Sequence, residues 1–232
     1  DVSANTALTV LWCNENQLTS LDVSANTALT ELVCRNNQLT SLDVSNNTAL
    51  RTLWCGINQL TSLDVSANTA LTVLWCNENQ LTYLNMKNGV TDQLTTFNAT
   101  NNSLTCIETL DPTWATENWT YENDNIDEGV VFSVVCVPDG YTYIPDDNFE
   151  QALIDLGYDD VLDDFVNTAN ISSVTDLDVS EKEISDLTGI EDFTALTTLW
   201  CGINQLTSLD VSANTALTYL NLGYNQLTAL DV

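Results

Sequence analysis

The segment DVSANTALTVLWCNENQLTSL, residues 1–21, decides the fold because it recurs along the chain. Related copies begin at Asp22, Asp43 and Asp64, so the repeat has a period of 21 residues, and the copy at Asp64 nearly matches the first. One copy is too short to bury its own apolar face, and neighbouring copies must therefore stack. The sequence predicts a fold made of stacked, repeated units.

Each copy is expected to form a short strand near residues 10–14. Because side chains alternate along a strand, Leu11 and Cys13 should point inward, whereas Val10, Trp12 and Asn14 should point outward. Stacking then aligns Leu11 with its equivalents in an apolar column, and each buried leucine contributes roughly 1.5 to 3 kcal/mol. The predicted class is an α/β solenoid built mainly of short parallel strands. The inward cysteines are predicted core thiols: Cys13, Cys34, Cys55, Cys76 and Cys201.

The spacing from Leu8 to Leu21 resembles the frame of leucine-rich repeats, which have periods of roughly 20 to 29 residues. An asparagine follows each predicted strand, at the point where the chain turns away. Its amide can bond backbone groups of adjacent turns, which would each cost about 1 to 3 kcal/mol if left unpaired. We predict a structural asparagine ladder formed by Asn16, Asn37, Asn58, Asn79, Asn102, Asn204 and Asn225.

Interruptions of the repeat divide the chain into four predicted segments. Residues 1–107 form a first array, 108–137 its end cap, 138–173 a helical start cap and 174–232 a second array. Cys106 and Cys136 have no ladder partner and flank the loop-rich end cap, so a mutual disulfide is expected. In the start cap, Asp147 is the predicted N-cap of a short helix, with Glu150 three residues later, and Gly157 ends that helix.

Three stretches resemble secreted and surface leucine-rich-repeat proteins of marine flavobacteria, relatives of the internalin type. They are IPDDNFEQALIDLGYDDVLDD, TALTTLWCGINQLTSLDVS and CIETLDP with the later NWT and FSVVC. This resemblance implies a right-handed horseshoe in two arrays, export through the type IX route, and use as a recognition or adhesion module in a larger surface protein. It supplies no catalytic residues.

The charge excludes several classes of partner. The chain has 33 acidic and 4 basic residues, a formal net charge of -29, and most of the acidic residues lie between Glu108 and Asp192. The only cations, Arg35, Arg51, Lys87 and Lys182, are too few to neutralise nucleic-acid phosphates or an anionic membrane. No apolar run approaches the roughly 20 residues of a membrane span, and we expect the chain to start after any targeting segment. A secreted or cell-surface location is predicted.

The outward strand positions carry aromatic residues, which are predicted to line the concave face. The candidate binding residues are Trp12, Trp54, Trp75, Trp200, Tyr219, Val33 and Asn14. Adjacent aromatics can stack as a purely structural cross-strand ladder. An exposed aromatic stripe can equally bind a protein or a polysaccharide. The sequence leaves both interpretations open.

No cofactor and no enzymatic activity are expected. The chain has no histidine, which removes the usual general base and most catalytic zinc sites. Paired carboxylates can hydrolyse glycosides, but nothing in the sequence places two across a cleft. Acidic clusters could bind calcium, although their spacing is not that of an EF-hand loop and a solvated acidic face explains them equally. These clusters are Asp159, Asp160, Asp163 and Asp164, and Glu122, Asp124, Asp127 and Glu128.

Both ends of the sequence are in phase with the repeat, at Asp1–Val2 and at Leu230–Val232. An uncapped solenoid exposes a strand edge, which favours pairing with another edge. We therefore expect either a piece of a longer repeat protein or head-to-tail self-association of the Tyr219 and Val10 strands. In the second case the alternative function is that of a structural spacer without a ligand.

Overall fold

The structure is a computed structural model that describes residues 2–230, so the predicted open ends at Asp1 and at Asp231–Val232 lie outside the described residues. Its strands are β1 Val10–Trp12, β2 Glu31–Val33, β3 Thr52–Trp54, β4 Ser62–Asp64, β5 Val73–Trp75, β6 Tyr83–Asn85, β7 Thr96–Asn98, β8 Cys106–Glu108, β9 Val131–Ser133, β10 Tyr141–Tyr143, β11 Phe165–Asn167, β12 Asp176–Asp178, β13 Thr198–Trp200 and β14 Tyr219–Asn221. The α-helices are α1 Pro112–Asn118, α2 Asp147–Asp155 and α3 Thr168–Ile171, and 3-10 turns span Thr91–Gln93 and Ile190–Asp192.

The described residues form two compact units that divide between Cys136 and Val137. Each unit has a hydrophobic core of its own. The finer division into arrays and caps stays a prediction.

The first unit is built around a five-stranded parallel sheet in the order β1-β2-β3-β5-β7. The register places Leu32 beside Leu53, Leu53 beside Leu74, and Leu74 beside Phe97. These four side chains are at most 4% exposed, whereas Leu11 in the edge strand β1 is half-buried. The predicted apolar column therefore forms the core, and the predicted solenoid of short, mainly parallel strands is confirmed.

A second parallel sheet of the first unit, in the order β4-β6-β8-β9, was not expected from the sequence. It forms where the return segment of a coil becomes extended for three residues, and it pairs Leu63 with Leu84 and Ile107 with Phe132. Leu63, Leu84 and Ile107 are almost fully buried. Each coil therefore contributes inward side chains from two sides of the core.

The predicted asparagines bond backbone groups of neighbouring coils, except Asn16 in the first coil, which bonds the Cys13 and Asn14 carbonyl oxygens of its own coil. Asn58 Oδ1 accepts from the Leu39 N–H at 3.0 Å, and its Nδ2 donates to the carbonyl oxygens of Cys34 and Cys55 at 3.2 and 3.0 Å. Asn37 and Asn79 make equivalent bonds one coil earlier and one coil later. Residues immediately before the asparagines adopt the left-handed conformation: Glu15, Asn36, Ile57, Glu78, Asn101, Ile203 and Tyr224.

A second asparagine column stabilises the turns of the repeat segment DVSANTAL and was not predicted from the sequence. Asn47 is fully buried, and its Nδ2 donates to the Val23 and Asn26 carbonyl oxygens at 3.1 and 2.9 Å. Asn68 makes the same pair of bonds to Val44 and Asn47. The signal was present in the sequence, because an asparagine recurs at this position with the 21-residue period.

The second unit contains the three-stranded parallel sheet β12-β13-β14, which aligns Leu177, Leu199 and Leu220. Before this sheet come the antiparallel pair β10-β11 and helix α2. Helix α2 buries Phe149, Ala152 and Leu153 in the core of the unit.

The predicted start of α2 was wrong by one residue. Asp146, not Asp147, is the N-cap, and its Oδ1 accepts from the backbone N–H groups of Asn148 and Phe149, both at 3.0 Å. Glu150 does not complete a capping box, because its Oε1 accepts instead from the Asp163 N–H at 2.9 Å. The predicted end is where expected: Leu156 is the C-cap, and Gly157 follows with φ +80°.

Replacement of Asn58 by alanine should destabilise the first unit. Removal of its amide leaves the Leu39 N–H without a partner inside the core and takes one of two amide donors from the Cys34 carbonyl, which should lower the free energy of unfolding by about 1 to 3 kcal/mol. Chemical denaturation measures the change. The neighbouring exposed Gln59→Ala variant is the control, and equal midpoints for the two variants would contradict the structural role of the ladder.

Replacement of Asp146 by asparagine should destabilise the second unit in a pH-dependent way. Asp146 Oδ2 accepts from Ser185 N, Ser185 Oγ and Asp186 N at 2.8, 2.7 and 3.0 Å, and asparagine retains the helix cap but loses this second acceptor. Burial alone would raise the pKa of Asp146, but the bonds from Ser185, Phe149 and Asp186 outweigh it and lower the pKa below its usual value.

Because the folded pKa is lowered, the ionised form of Asp146 stabilises the unit above the usual aspartate pKa, and this contribution disappears as the pH falls through the folded pKa. The stability difference between wild type and Asp146→Asn should thus be largest near neutral pH and vanish in acid. Thermal denaturation from about pH 7 to about pH 3 measures it. The exposed Asp147→Asn variant serves as control, and a pH-independent difference for Asp146→Asn would refute this account.

Candidate binding face

One row of side chains crosses the outer face of the five-stranded sheet. Trp12, Val33, Trp54, Trp75 and Asn98 are register partners at the third position of strands β1, β2, β3, β5 and β7. We call these five residues the outward row. The strands bring the side chains into line because every strand begins at the same point of its coil.

Trp54 and Trp75 form the centre of the outward row. Their rings are stacked, with centroids 4.9 Å apart and an angle of 12° between the planes. The ring nitrogens of both residues are buried and have no hydrogen-bond partner among the described residues. Stacked rings at this distance are worth about 0.5 to 1.5 kcal/mol beyond their buried area, so this pair stabilises the sheet whether or not it also binds a ligand.

Trp12 lies at the edge of the sheet and is 67% exposed. Its Nε1 donates to Glu31 Oε1 on the next strand at 2.8 Å. Val33, predicted as a contact residue of this face, is only 6% exposed, and this prediction was wrong. Its short side chain lies between Trp12 and Trp54, and the indole of Trp12 reaches across towards Glu31, so the two larger neighbours cover Val33.

The other predicted contact residues are distributed over both units. Asn14 in the first unit is half-buried just after β1. Trp200 and Tyr219 belong to the second unit, where their ring centroids are 4.5 Å apart and the planes are tilted by 40°. Tyr219 is the register partner of Thr198 rather than of Trp200, so the two rings meet diagonally.

The segment after β8, residues 109–136, closes the end of the first core, and we call it the end segment. Trp119 is 4% exposed and contacts Phe97 of the sheet, with ring centroids 4.4 Å apart. Trp114 meets Trp119 edge to face at 5.5 Å, and Phe132 lies 5.8 Å from Trp119. Trp114 and Trp119 lie outside the repeat and have no periodic position, so the repeat pattern does not predict their role.

Cys106 and Cys136 form a disulfide whose Cα atoms are 5.8 Å apart, which anchors the end segment to β8. Beside it, Glu108 is 5% exposed and bridges three groups: Lys87 Nζ at 2.8 Å, the Tyr83 hydroxyl at 3.2 Å and the Cys136 N–H at 3.1 Å. Burial, and then the charge and hydrogen bond of Glu108, raise the pKa of Tyr83 to about 12. This cluster holds the end segment in place.

The remaining cysteines are free thiols on the inward side of the strands. Cys34, Cys55, Cys76 and Cys201 are buried, and Cys13 in the edge coil is half-buried. Burial raises the pKa of Cys76 and of Cys201 to about 12, so both thiols are protonated at neutral pH. Protonated, buried thiols are poor nucleophiles, which fits core packing.

The acidic clusters do not form an evident metal centre. Within residues 2–230, no group of three or more Asp, Glu, His or Cys side chains is arranged to hold a metal ion. Asp127 has a structural contact, since its two oxygens accept from the N–H groups of Asn101 and Asn102 at 2.8 and 2.9 Å. Glu150 is buried, and burial together with the charges of Asp159 and Asp163 raises its pKa. Calcium binding, which the sequence left open beside a solvated acidic face, stays untested.

Residues 6–47 and 27–68 match the family described as Leucine Rich repeats (2 copies). Together with the stacked coils and the parallel strands, this match decides the fold. The chain has a leucine-rich-repeat fold. In the part of the chain that is described, no helix has the length and apolar character needed to cross a membrane.

The repeats are similar to those of Internalin J from Listeria monocytogenes, with 37% identity over 73 residues, which cover 32% of this chain and 8% of that protein. The functional domain of the Listeria protein, described as including a cysteine ladder, is 32% identical, with a TM-score of 0.46, over 100% of this chain and 45% of that one. A leucine-rich-repeat protein of Leptospira interrogans is 19% identical, with a TM-score of 0.41, over 98% and 57% of the two chains. The chain therefore spans less than two thirds of each of these proteins.

Reduction of the Cys106–Cys136 disulfide should destabilise the first unit. The bond spans 30 residues, and its loss should cost about 3 to 4 kcal/mol through the greater freedom of the unfolded chain. Thermal denaturation with and without a reductant measures the effect. A Cys106→Ser, Cys136→Ser double variant should be as unstable as the reduced protein and insensitive to reductant, and a wild type unaffected by complete reduction would disprove the anchoring role.

Proposed function

We propose that the chain is an extracellular recognition module that binds its partner through the outer face of the sheet β1-β2-β3-β5-β7. The observation that carries this proposal is the outward row, in which a stacked Trp54–Trp75 pair and a largely exposed Trp12 lie on one face. Rigid aromatic side chains on a regular scaffold contribute much of the binding energy in protein interfaces.

Charge narrows the class of partner. The chain carries a formal net charge of -29, so polyanions would be repelled, whereas neutral or basic surfaces would not. Polar residues surround the tryptophans, including the half-buried Asn14 and Asn77 and the exposed Glu15 and Glu78. An apolar centre with a polar rim is typical of protein contact sites, and it also suits a sugar.

Proteins built of leucine-rich repeats act as binding modules and scaffolds, and the chain is not an enzyme. The similarity to Internalin J supports a protein-binding role of the repeats. A disulfide is the usual mark of an oxidising compartment, which supports a secreted or cell-surface location. We include in this proposal that the chain comes from a surface protein of the flavobacterial type, which three stretches of its sequence resemble.

The alternative function is that of a structural spacer. Strands β1 and β14 lie at the edges of their sheets, where a further repeat or a second copy can add a strand. In a spacer, the Trp54–Trp75 stack contributes only to packing. Replacement of Trp12 would then change no ligand binding.

The test is a binding screen on arrays of purified cell-surface proteins and of glycans, with and without calcium. We expect the wild type to bind, and a Trp12→Ala, Trp54→Ala variant to lose at least about tenfold in affinity, because the exposed and stacked indoles are removed. Tyr121→Ala is the matched control, since Tyr121 is an aromatic residue of the first unit, 55% exposed, in the end segment.

Binding that is retained by the double variant, or no binding by the wild type in any condition, would reject the recognition role of this face. In that case, light scattering that shows concentration-dependent oligomers would favour the spacer.

A further inference from the structure

The outward row ends in a cavity. Trp75 stacks on Trp54 with one face of its indole, and its register partner on the other side is Asn98, whose side chain is too small to cover an indole. Asn98 follows Trp75 by 23 residues, two more than the repeat period. Strand β7 is the last of its sheet, and the end segment lies beside it where a further coil would otherwise pack. Trp75 and Asn98 both line a space of about 460 Å³, which we call the end pocket.

The end segment supplies the opposite wall of the end pocket. Helix α1 carries Trp114 and Asn118, and the following loop carries Asn123 and Asp124. Asn125 fixes this loop beside β7, because its Nδ2 donates to the Phe97 carbonyl at 2.8 Å and its carbonyl accepts from the Ala99 N–H at 2.8 Å. The Trp119 contact with Trp114 holds the second indole in place. The pocket is therefore built by packed elements and not by a free loop.

Several polar groups of the end pocket are oriented but not fully used. Asn98 Oδ1 accepts from the N–H and hydroxyl of Thr100 at 3.0 and 2.8 Å, which leaves its amide hydrogens as donors. Asn118 Nδ2 donates to the Trp114 carbonyl at 2.8 Å, which leaves its amide oxygen as an acceptor. Asn123 and Asp124 make no side-chain hydrogen bond to other described residues.

We infer that the end pocket binds one ring of a neutral saccharide. Its volume lies within the roughly 300 to 1,000 Å³ of small-ligand sites. The C–H face of a pyranose is apolar and packs on an indole, as other apolar groups do. Its hydroxyl groups both donate and accept, which matches the mixture of amide donors, amide oxygens and one carboxylate in the pocket.

The same chemistry disfavours the other small ligands. No lysine or arginine is among the described residues that line the pocket, and Asp124 adds a negative charge, so phosphates, sulfated sugars and uronic acids would be unpaired there. A purely apolar group would leave the amides of Asn98 and Asn118 without partners. This inference rests on the proposed recognition function and assigns to one end of the same face its own ligand class.

Isothermal titration calorimetry with cellotriose, mannotriose and triacetylchitotriose, and with trigalacturonate as the anionic comparison, tests the inference. We expect at least one neutral trisaccharide to bind the wild type and trigalacturonate not to bind. Trp114→Ala and Asn118→Ala should weaken that binding about tenfold or more, since each removes a wall or an acceptor. Asn98→Trp should abolish it, because the added indole fills the pocket and covers Trp75.

Tyr121→Ala is the matched control, because Tyr121 is an exposed aromatic residue of the end segment that does not line the end pocket, and this variant should bind the saccharide as the wild type does. Thermal denaturation checks that each variant folds, and Asn118 at the exposed end of α1 gives a variant whose fold should be unaffected. No binding of any neutral trisaccharide, or binding that Asn118→Ala and Asn98→Trp leave intact, would overturn the inference. If the Trp12→Ala, Trp54→Ala variant loses its partner on the arrays but the wild type binds no trisaccharide in calorimetry, the saccharide inference is overturned and the proposed function is supported.

Discussion

The rest of the first unit depends on the hydrogen bonds of the asparagine that follows each strand of the five-stranded sheet. A coil of this length must reverse direction inside a dry core, where the backbone groups of the turn have no access to water. The Asn58 side chain forms hydrogen bonds with backbone groups of its own coil and of the preceding coil, at 3.0 to 3.2 Å. The residue before it must be left-handed, and even Ile57, a β-branched residue that disfavours this conformation, adopts φ 55°. The ladder therefore outweighs local conformational preference.

The ladder also sets the register of the strands, and the outer face follows from it. Because equivalent backbone atoms are joined from coil to coil, the third positions of successive strands must lie side by side, and Trp54 and Trp75 meet as stacked rings. Val33 in the same row is covered by its larger neighbours. The chemistry of this face is thus decided by which residue occupies one position in each repeat.

The repeated residues could be predicted from the sequence, because their environment is repeated too. Leu53 faces inward and Asn58 bonds its neighbours in the way that spacing alone implies. Cys106 and Cys136 do not occupy the repeated inward position of the other cysteines, so their pairing could be predicted as well. The non-repeated contacts could not be predicted in this way. Asp146 accepts from Ser185, 39 residues later, and Trp119 packs on Phe97 only after the end segment has folded back over the core. These pairings depend on tertiary packing and leave no periodic signal.

A perfect repeat offers the same side chains again and again along a regular surface, and such a surface has little power to distinguish one small ligand from another. Distinct chemistry arises where the repeat is interrupted. At β7 the row changes from tryptophan to Asn98, and the end segment adds Trp114 and Asn118 from a helix that belongs to no coil. The sheet and the end segment line the two sides of this open pocket, and neither could form it alone. In the proposed recognition role, the regular part of the face supplies affinity, whereas selectivity for a particular ligand comes from the irregular end.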